Sequence, residues 1–551
     1  MKKILLLVFT VTIFFSCQQK ETKQYFKKYD ETAELEAQQN HEKSEMKFKL
    51  IQSKYLDMNE VFKPFEKDLA TFSEENYESL KSLILEKDIP SLQKSVKKGE
   101  LTYENLTKFY LYRIRKFESD SSLYLNSIIA LNPNVIKEAK EKDINRDQEI
   151  DKIFTDISVY GMPILLKDNI NTKNMPTTAG AIALAENKNT EDAFIVQKLK
   201  ENGALILGKV NLSEWAYFFC GDCPLGYSAV GGQTLNPYGR KVFETGGSSA
   251  GSGVSVAANF AVAAIGTETS GSITSPSSQN SVVGLKPTTG LLSRSGIVPI
   301  SSTLDTPGPM TKNIIDNYIL LNAMLGKDEN DKSSFEIEQN SFFEDLEGTL
   351  KGKRLGVLKP LLTDSIYALT IEKIRNAGAE IIEITPPEIS FDGFLTLLNI
   401  DMKYDLPKYL YNNVDKNVEI KSVKDVIDFN LKDSILRSPY GQNLFEGIVN
   451  DSTTIVETGV IKYKLASEGK KYLKALEKEN LDAILSINNY HSGIAAVSQY
   501  PTLTVPMSYK KTGEPISLTL IGLPKTEGKL YIIGYAFEQL TKTRKMPKNY
   551  Q

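Results

Sequence analysis

Gly246-Gly247-Ser248-Ser249-Ala250-Gly251-Ser252-Gly253, followed by Gly266-Thr267-Glu268-Thr269-Ser270-Gly271-Ser272-Ile273, are the two stretches whose reading decides this chain. Each sets serine into a backbone that glycine makes permissive. Upstream, the apolar run Gly161-Met162-Pro163-Ile164-Leu165-Leu166 ends in Lys167-Asp168-Asn169. A serine that attacks a carbonyl needs a base beside it and N–H donors aimed at the developing oxyanion. These segments contain serine, a lysine and clustered N–H groups. A histidine is not required, and the chain holds only two, His41 and His491.

Each segment also has a plainer reading. A glycine-rich loop commonly turns the chain or cradles phosphate. This one lacks the GxxxxGK[ST] pattern, and it lacks the GxGxxG form with an acidic residue about 20 positions on. The second loop can gather the N–H groups of Thr269, Ser270, Gly271 and Ser272 around one anion, or it can simply be a turn. Lys167 closes an apolar run, so burial would push its ammonium toward the neutral, basic form. The alternative is an ion pair with Asp168 at a strand end.

Outward from these loops, short apolar runs alternate with helical ones from Val159 to about Ile315: 164–166, 194–200, 204–208, 254–262 and 263–266. The alternation predicts an α/β fold, a single large domain with a central mixed β-sheet flanked by helices. Residues 77–131 read as helical, with Thr102 capping a helix through Phe109, Tyr110 and Ile114. A strand–helix–strand unit follows at 354–358, 364–377 and 380–384. Residues 390–475 are mostly helical and polar. Late strands are expected at 481–485, 502–506 and 517–521, and a closing helix at 529–541.

Taken together, the segments resemble the amidase signature family, whose members use a Ser–cis-Ser–Lys triad. The match runs through 161–169, Pro176-Thr177-Thr178-Ala179-Gly180, the stretch from Gly203 to Trp215, Gly232-Gln233-Thr234-Leu235-Asn236-Pro237, both serine loops, Gly284-Leu285-Lys286-Pro287-Thr288 and Tyr500-Pro501-Thr502-Leu503-Thr504-Val505-Pro506. It covers residues 76–547. The resemblance implies Lys167 as base, Ser248 as the bridging serine after a cis Gly247–Ser248 peptide, and Ser272 as nucleophile. The N–H groups of Thr269, Ser270, Gly271 and Ser272 would form the oxyanion hole. The 24-residue separation of the two serines agrees with the family. Glu268, Ser270 and Thr274 stand where the family more often has Asp, Gly and Arg. With Gly-Thr-Glu-Thr-x-Gly-Ser-Ile they are similar to the peptide-amidase-like branch, as are 405–410 and 425–430. The implied activity is hydrolysis of carboxamide C–N bonds to carboxylate plus ammonia or amine, with no cofactor and no metal.

The N-terminus adds an expectation about address. Lys2 and Lys3, an apolar run from Ile4 to Phe15, then Ser16-Cys17, resemble a bacterial lipoprotein signal over residues 1–17. Phe14-Phe15 departs from the usual small aliphatic pair, and plain secretory cleavage and an uncleaved anchor are the alternatives. Cys17 would carry lipid and attach an exported protein to the cell envelope membrane. Residues 18–75 are rich in Lys, Glu and Gln; the first half reads as a solvated polar tether and the second as a helical extension, a short amphipathic helix that docks on the body. Cys220 and Cys223 have CxxC spacing, open to a disulfide, to inert free thiols, or to a metal or redox role. A net charge of −3 gives no electrostatic footprint for nucleic acid, so the expected partner is a small-molecule or peptide amide. Two other functions compete. An amidotransferase A subunit acting on glutamyl-tRNA would need cytoplasmic partners, which the leader contradicts. A ligand-binding lipoprotein of the same fold would favour an eroded triad, and here the triad is intact. The aromatic residues Tyr404, Tyr409, Phe429 and Tyr440 are candidates for the substrate rim.

Overall fold

The computed structural model describes residues 24–149, 157–337 and 348–551. Its centre is an eleven-stranded sheet. The strands, in chain order, are β1 (Ile128–Leu131), β2 (Pro163–Lys167), β3 (Leu205–Val210), β4 (Ala263–Glu268), β5 (Val283–Lys286), β6 (Thr306–Thr311), β7 (Arg354–Leu358), β8 (Glu380–Ile384), β9 (Ala483–Ile487), β10 (Thr502–Tyr509) and β11 (Pro515–Ile521). Across the sheet they lie in the order β1-β3-β2-β4-β6-β5-β10-β11-β9-β7-β8. β2 pairs in parallel with both β3 and β4, whereas β6 pairs antiparallel with β4 and β5. The sheet is therefore mixed, as the alternating runs predict.

Every residue of β2, β3, β4 and β6 is buried. Strands covered on both faces read as continuous apolar runs instead of alternating ones, which is why 163–167 and 263–266 stand out in the sequence. β6 does not stand out, because Thr306-Pro307-Gly308-Pro309 carries two prolines. Its pairing with β5 reaches only Met310 and Thr311, which leaves the proline half with a side free of a strand partner.

The second half of the 254–262 run is loop, and its first half belongs to a helix, Ala250–Ala257, buried along its whole length. Small residues allow this. A Cβ on Gly251 would lie 2.4 Å from the Asn211 carbonyl, so only glycine lets the helix start so close to the end of β3. Thr102 caps the helix Tyr103–Glu118 by accepting from Asn105 N–H at 3.1 Å. The helical stretch expected to reach residue 131 stops at Glu118, and Ile128–Leu131 is the edge strand β1 instead. Residues 394–473 are a run of helices, the longest being Phe394–Asn413 and Ile455–Leu473.

One expectation is corrected. From residue 24 on, the half expected as a solvated tether is packed against the body through Phe26, Tyr29 and Leu35, and the second half docks on it too. Met46, Phe48 and Ile51 are buried in the main core, and the Ile51 carbonyl accepts from Gln233 N–H at 2.9 Å. Apolar residues dispersed among lysines and glutamates hold the segment, helped by Gln38 donating to the Lys241 carbonyl at 3.0 Å, and in the first half the average polarity hides them. The leader and Cys17 lie outside the described residues. Among the described residues no helix is long and apolar enough to cross a membrane.

Candidate active site

Lys167 is the last residue of β2 and is completely buried. Asp168 lies just past the strand end, and Lys167 does not pair with it. Asp168 faces Lys209 instead, at 3.2 Å in a fully buried ion pair, and also accepts from Thr178 N–H at 3.1 Å. This corrects the ion-pair alternative and leaves Lys167 free for other partners. Its ammonium nitrogen reaches Ser248 Oγ at 2.7 Å, Thr267 Oγ1 at 2.9 Å and the Thr267 carbonyl at 3.1 Å. Burial drives Lys167 from 10.5 down to about 7, against the opposing pull of the Asp305 and Glu268 carboxylates.

Ser248 is also fully buried, and the Gly247–Ser248 peptide is cis. The loop around it is fastened on three sides. The Ser248 carbonyl accepts from Ser213 N–H at 3.0 Å, and Ser249 Oγ donates to the Thr267 carbonyl at 3.0 Å. Ser249 N–H donates to the Ser272 carbonyl at 3.1 Å, which ties the two serine loops directly to one another. The structure thus brings Lys167, Ser248 and Ser272 to one place at the ends of β2 and β4.

Ser272 retains slight solvent exposure, 8 %, where Lys167 and Ser248 have none. The turn preceding it, Thr269–Gly271, includes Gly271 at φ +91°, a conformation that favours glycine. Glu268 clamps this turn from behind. One carboxylate oxygen accepts from Ile273 N–H at 2.8 Å, Thr274 N–H at 2.9 Å and Thr274 Oγ1 at 2.6 Å. Asp305 holds the near end by accepting from Thr269 Oγ1 at 2.5 Å, while its other oxygen accepts from Ile300 and Ser301 N–H. Burial raises Asp305 to about 6.

The motif reading missed Thr267, Asn169 and Asp305. Asn169 donates to Thr267 Oγ1 at 3.0 Å, so it orients the hydroxyl that holds Lys167. Both lie inside quoted motifs, and their polar side chains next to a buried lysine were the available signal. Asp305 had none, because its place beside Thr269 is set by the β4–β6 pairing.

The candidate rim residues separate. Tyr409 is buried and donates to Asn171 Oδ1 at 2.6 Å, so it is core. Tyr404 is exposed, and Phe429 lies under the Arg437 guanidinium at 3.8 Å. Tyr440 packs edge-on against Tyr227 at 4.8 Å and accepts from Lys49 N–H at 2.7 Å. Cys220 and Cys223 form a disulfide, with Cα atoms 5.7 Å apart. Among the described residues no cluster of three or more His, Cys, Asp or Glu is placed to hold a metal.

The amidase family model matches residues 105–486. A probable amidase of Arabidopsis thaliana is 37% identical over 486 residues, covering 84% of this chain and 92% of that protein. An amidase family protein of Bacillus anthracis superimposes with a TM-score of 0.85 at 38% identity, over 90% of this chain and 100% of that one. The native peptide amidase of Stenotrophomonas maltophilia gives 0.78 at 36% identity, over 84% of this chain and 98% of that one. With its eleven-stranded mixed sheet and its buried lysine bonded to serine, the chain belongs to the amidase family and is an enzyme that hydrolyses carboxamide C–N bonds.

Proposed function

We propose that the hydrolysis runs through an acyl-enzyme on Ser272, with Ser248 as proton relay and Lys167 as base. The observation that carries this reading is the 2.7 Å contact between two fully buried groups, Lys167 Nζ and Ser248 Oγ, in a loop bonded to Ser272. A lysine near 7 is substantially neutral at neutral pH and can accept a proton. Ser272 Oγ attacks the amide carbon as its proton passes through Ser248 to Lys167. N–H groups of residues 269–272 hold the oxyanion. The tetrahedral intermediate collapses, the C–N bond breaks and the proton returns through the same relay to the leaving nitrogen. Water then hydrolyses the ester, with Lys167 and Ser248 taking its proton, and releases the carboxylate.

The substrate class is a small-molecule or peptide carboxamide, a reading supported by the likeness to a peptide amidase. Ammonia release from a panel of peptide and aliphatic carboxamides, with labelling by a fluorophosphonate, tests it. Ser272→Ala abolishes labelling and turnover, and Lys167→Ala costs several orders of magnitude; near-normal rates in either variant would refute the triad. We further propose that residues 1–17 are a lipoprotein-type signal, that Cys17 carries lipid, and that the enzyme is exported to the bacterial envelope. Incorporation of a fatty-acid probe that survives in Cys17→Ala would overturn this.

A further inference from the structure

We propose that Asn489, Ser270 and Ser492 form a recognition site beside the Thr269–Ser272 turn. It hydrogen-bonds a second amide group of the substrate and so selects carboxamides with a peptide-like acyl part over plain aliphatic ones. This rests on Ser272 as the attacking residue. Three observations converge on the site. A Cβ built on Gly271 would lie 2.9 Å from Ser492 Oγ and 3.4 Å from Asn489 Nδ2, so both polar groups stand directly against the turn that precedes Ser272. On the adjacent residue, a Cβ on Gly493 would meet Ser270 Oγ at 3.6 Å and the Phe391 ring at 3.3 Å. Among the described residues, none of the three side chains has a hydrogen-bond partner. Ser270 and Asn489 are partly exposed, and Ser492 is buried.

The chemistry of the set points to an amide. An asparagine side chain offers both donor and acceptor, and a hydroxyl does the same, which matches the N–H and C=O of a peptide group. A hydrocarbon acyl chain laid against them would strip their water and return nothing. A site built to bond a polar group therefore rejects the analogue lacking it far more strongly than an apolar pocket rejects a missing methylene. Phe391 and Phe394, with ring centroids 5.8 Å apart, supply an apolar wall beside Ser270 for the side chain such a substrate would carry.

The experiment compares kcat/KM for N-acetyl-leucinamide with that for the analogue whose acetamido group is replaced by propyl. The native enzyme is expected to favour the acetamido compound by at least about tenfold. Asn489→Ala and, separately, Ser270→Ala are expected to shrink that ratio severalfold, by losing more on the acetamido compound than on the propyl one. Ser270 is partly exposed, so its variant guards against a folding defect at 489, and thermal melts of both accompany the kinetics. A native ratio near one, or a ratio unchanged in both variants, overturns the proposal. Failure of the native enzyme to label with fluorophosphonate would overturn the Ser272 reading, and this inference with it; labelling without hydrolysis of either compound overturns this inference alone.

Discussion

On the proposed mechanism, the pH at which Ser272 becomes reactive is set by Lys167. Desolvation at a fully buried position brings that lysine from 10.5 to about 7. Only the neutral amine can accept the serine proton, so the acylation rate follows its population. A group near 7 is neutral in about one molecule in eleven at pH 6 and about ten in eleven at pH 8. The second-order rate of fluorophosphonate labelling should rise roughly tenfold across that interval and be flat above about pH 8.5. The same group couples to folding. Between about 7 and 10.5 the unfolded chain binds a proton that the native lysine does not, so this residue makes stability rise with pH by about 1.4 kcal/mol per unit in that window. Lys167→Met abolishes labelling and removes that slope from denaturant unfolding measured at pH 7, 8 and 9. A labelling rate still climbing at pH 10 would mean an ordinary lysine and refute the argument. So would a stability slope unchanged in Lys167→Met.

Asp305 is the leading carboxylate holding Lys167 up, so Asp305→Asn should move the acid limb of the labelling profile to lower pH; a shift upward contradicts the assignment. Glu268→Gln removes a charged acceptor from three buried donors of residues 273 and 274, with an expected loss of about 1–3 kcal/mol in chemical denaturation and slower labelling. Unchanged values of both would show that the clamp has no role. Lys209→Met strands the buried Asp168 carboxylate and is expected to cost about 3–5 kcal/mol, part of which Asp168→Asn in the same chain recovers. A loss below about 1 kcal/mol, or no recovery in the double variant, argues that Asp168 finds another way to be neutralised.

Much of this was legible in the sequence because the decisive features are local. β2, β4 and the two glycine loops each announce themselves within ten residues, and the apolar run ending at Lys167 fixes which residue is buried. What was not legible depends on contacts between distant segments. Asp168 finds Lys209 because parallel pairing of β2 with β3 brings the two strand ends together. β6 was invisible because its prolines suit a strand only where one side is unpaired. The packing of the first half of the expected tether was not legible because Phe26 and Tyr29 find their ring partners, Phe62 and Tyr124, far along the chain.

Because β5 finds its second neighbour only in β10, more than two hundred residues later, the middle of the sheet stays incomplete until the last tenth of the chain is present. During synthesis, the segment carrying Lys167, Ser248 and Ser272 emerges long before the strands that close the sheet beyond it. Pairings of such sequence separation form slowly and leave apolar strand edges open in the meantime. The C-terminal strands therefore bear on whether the enzyme assembles, although none of the three proposed catalytic side chains lies on them, and truncating the chain after residue 500 should yield aggregated protein instead of a smaller amidase.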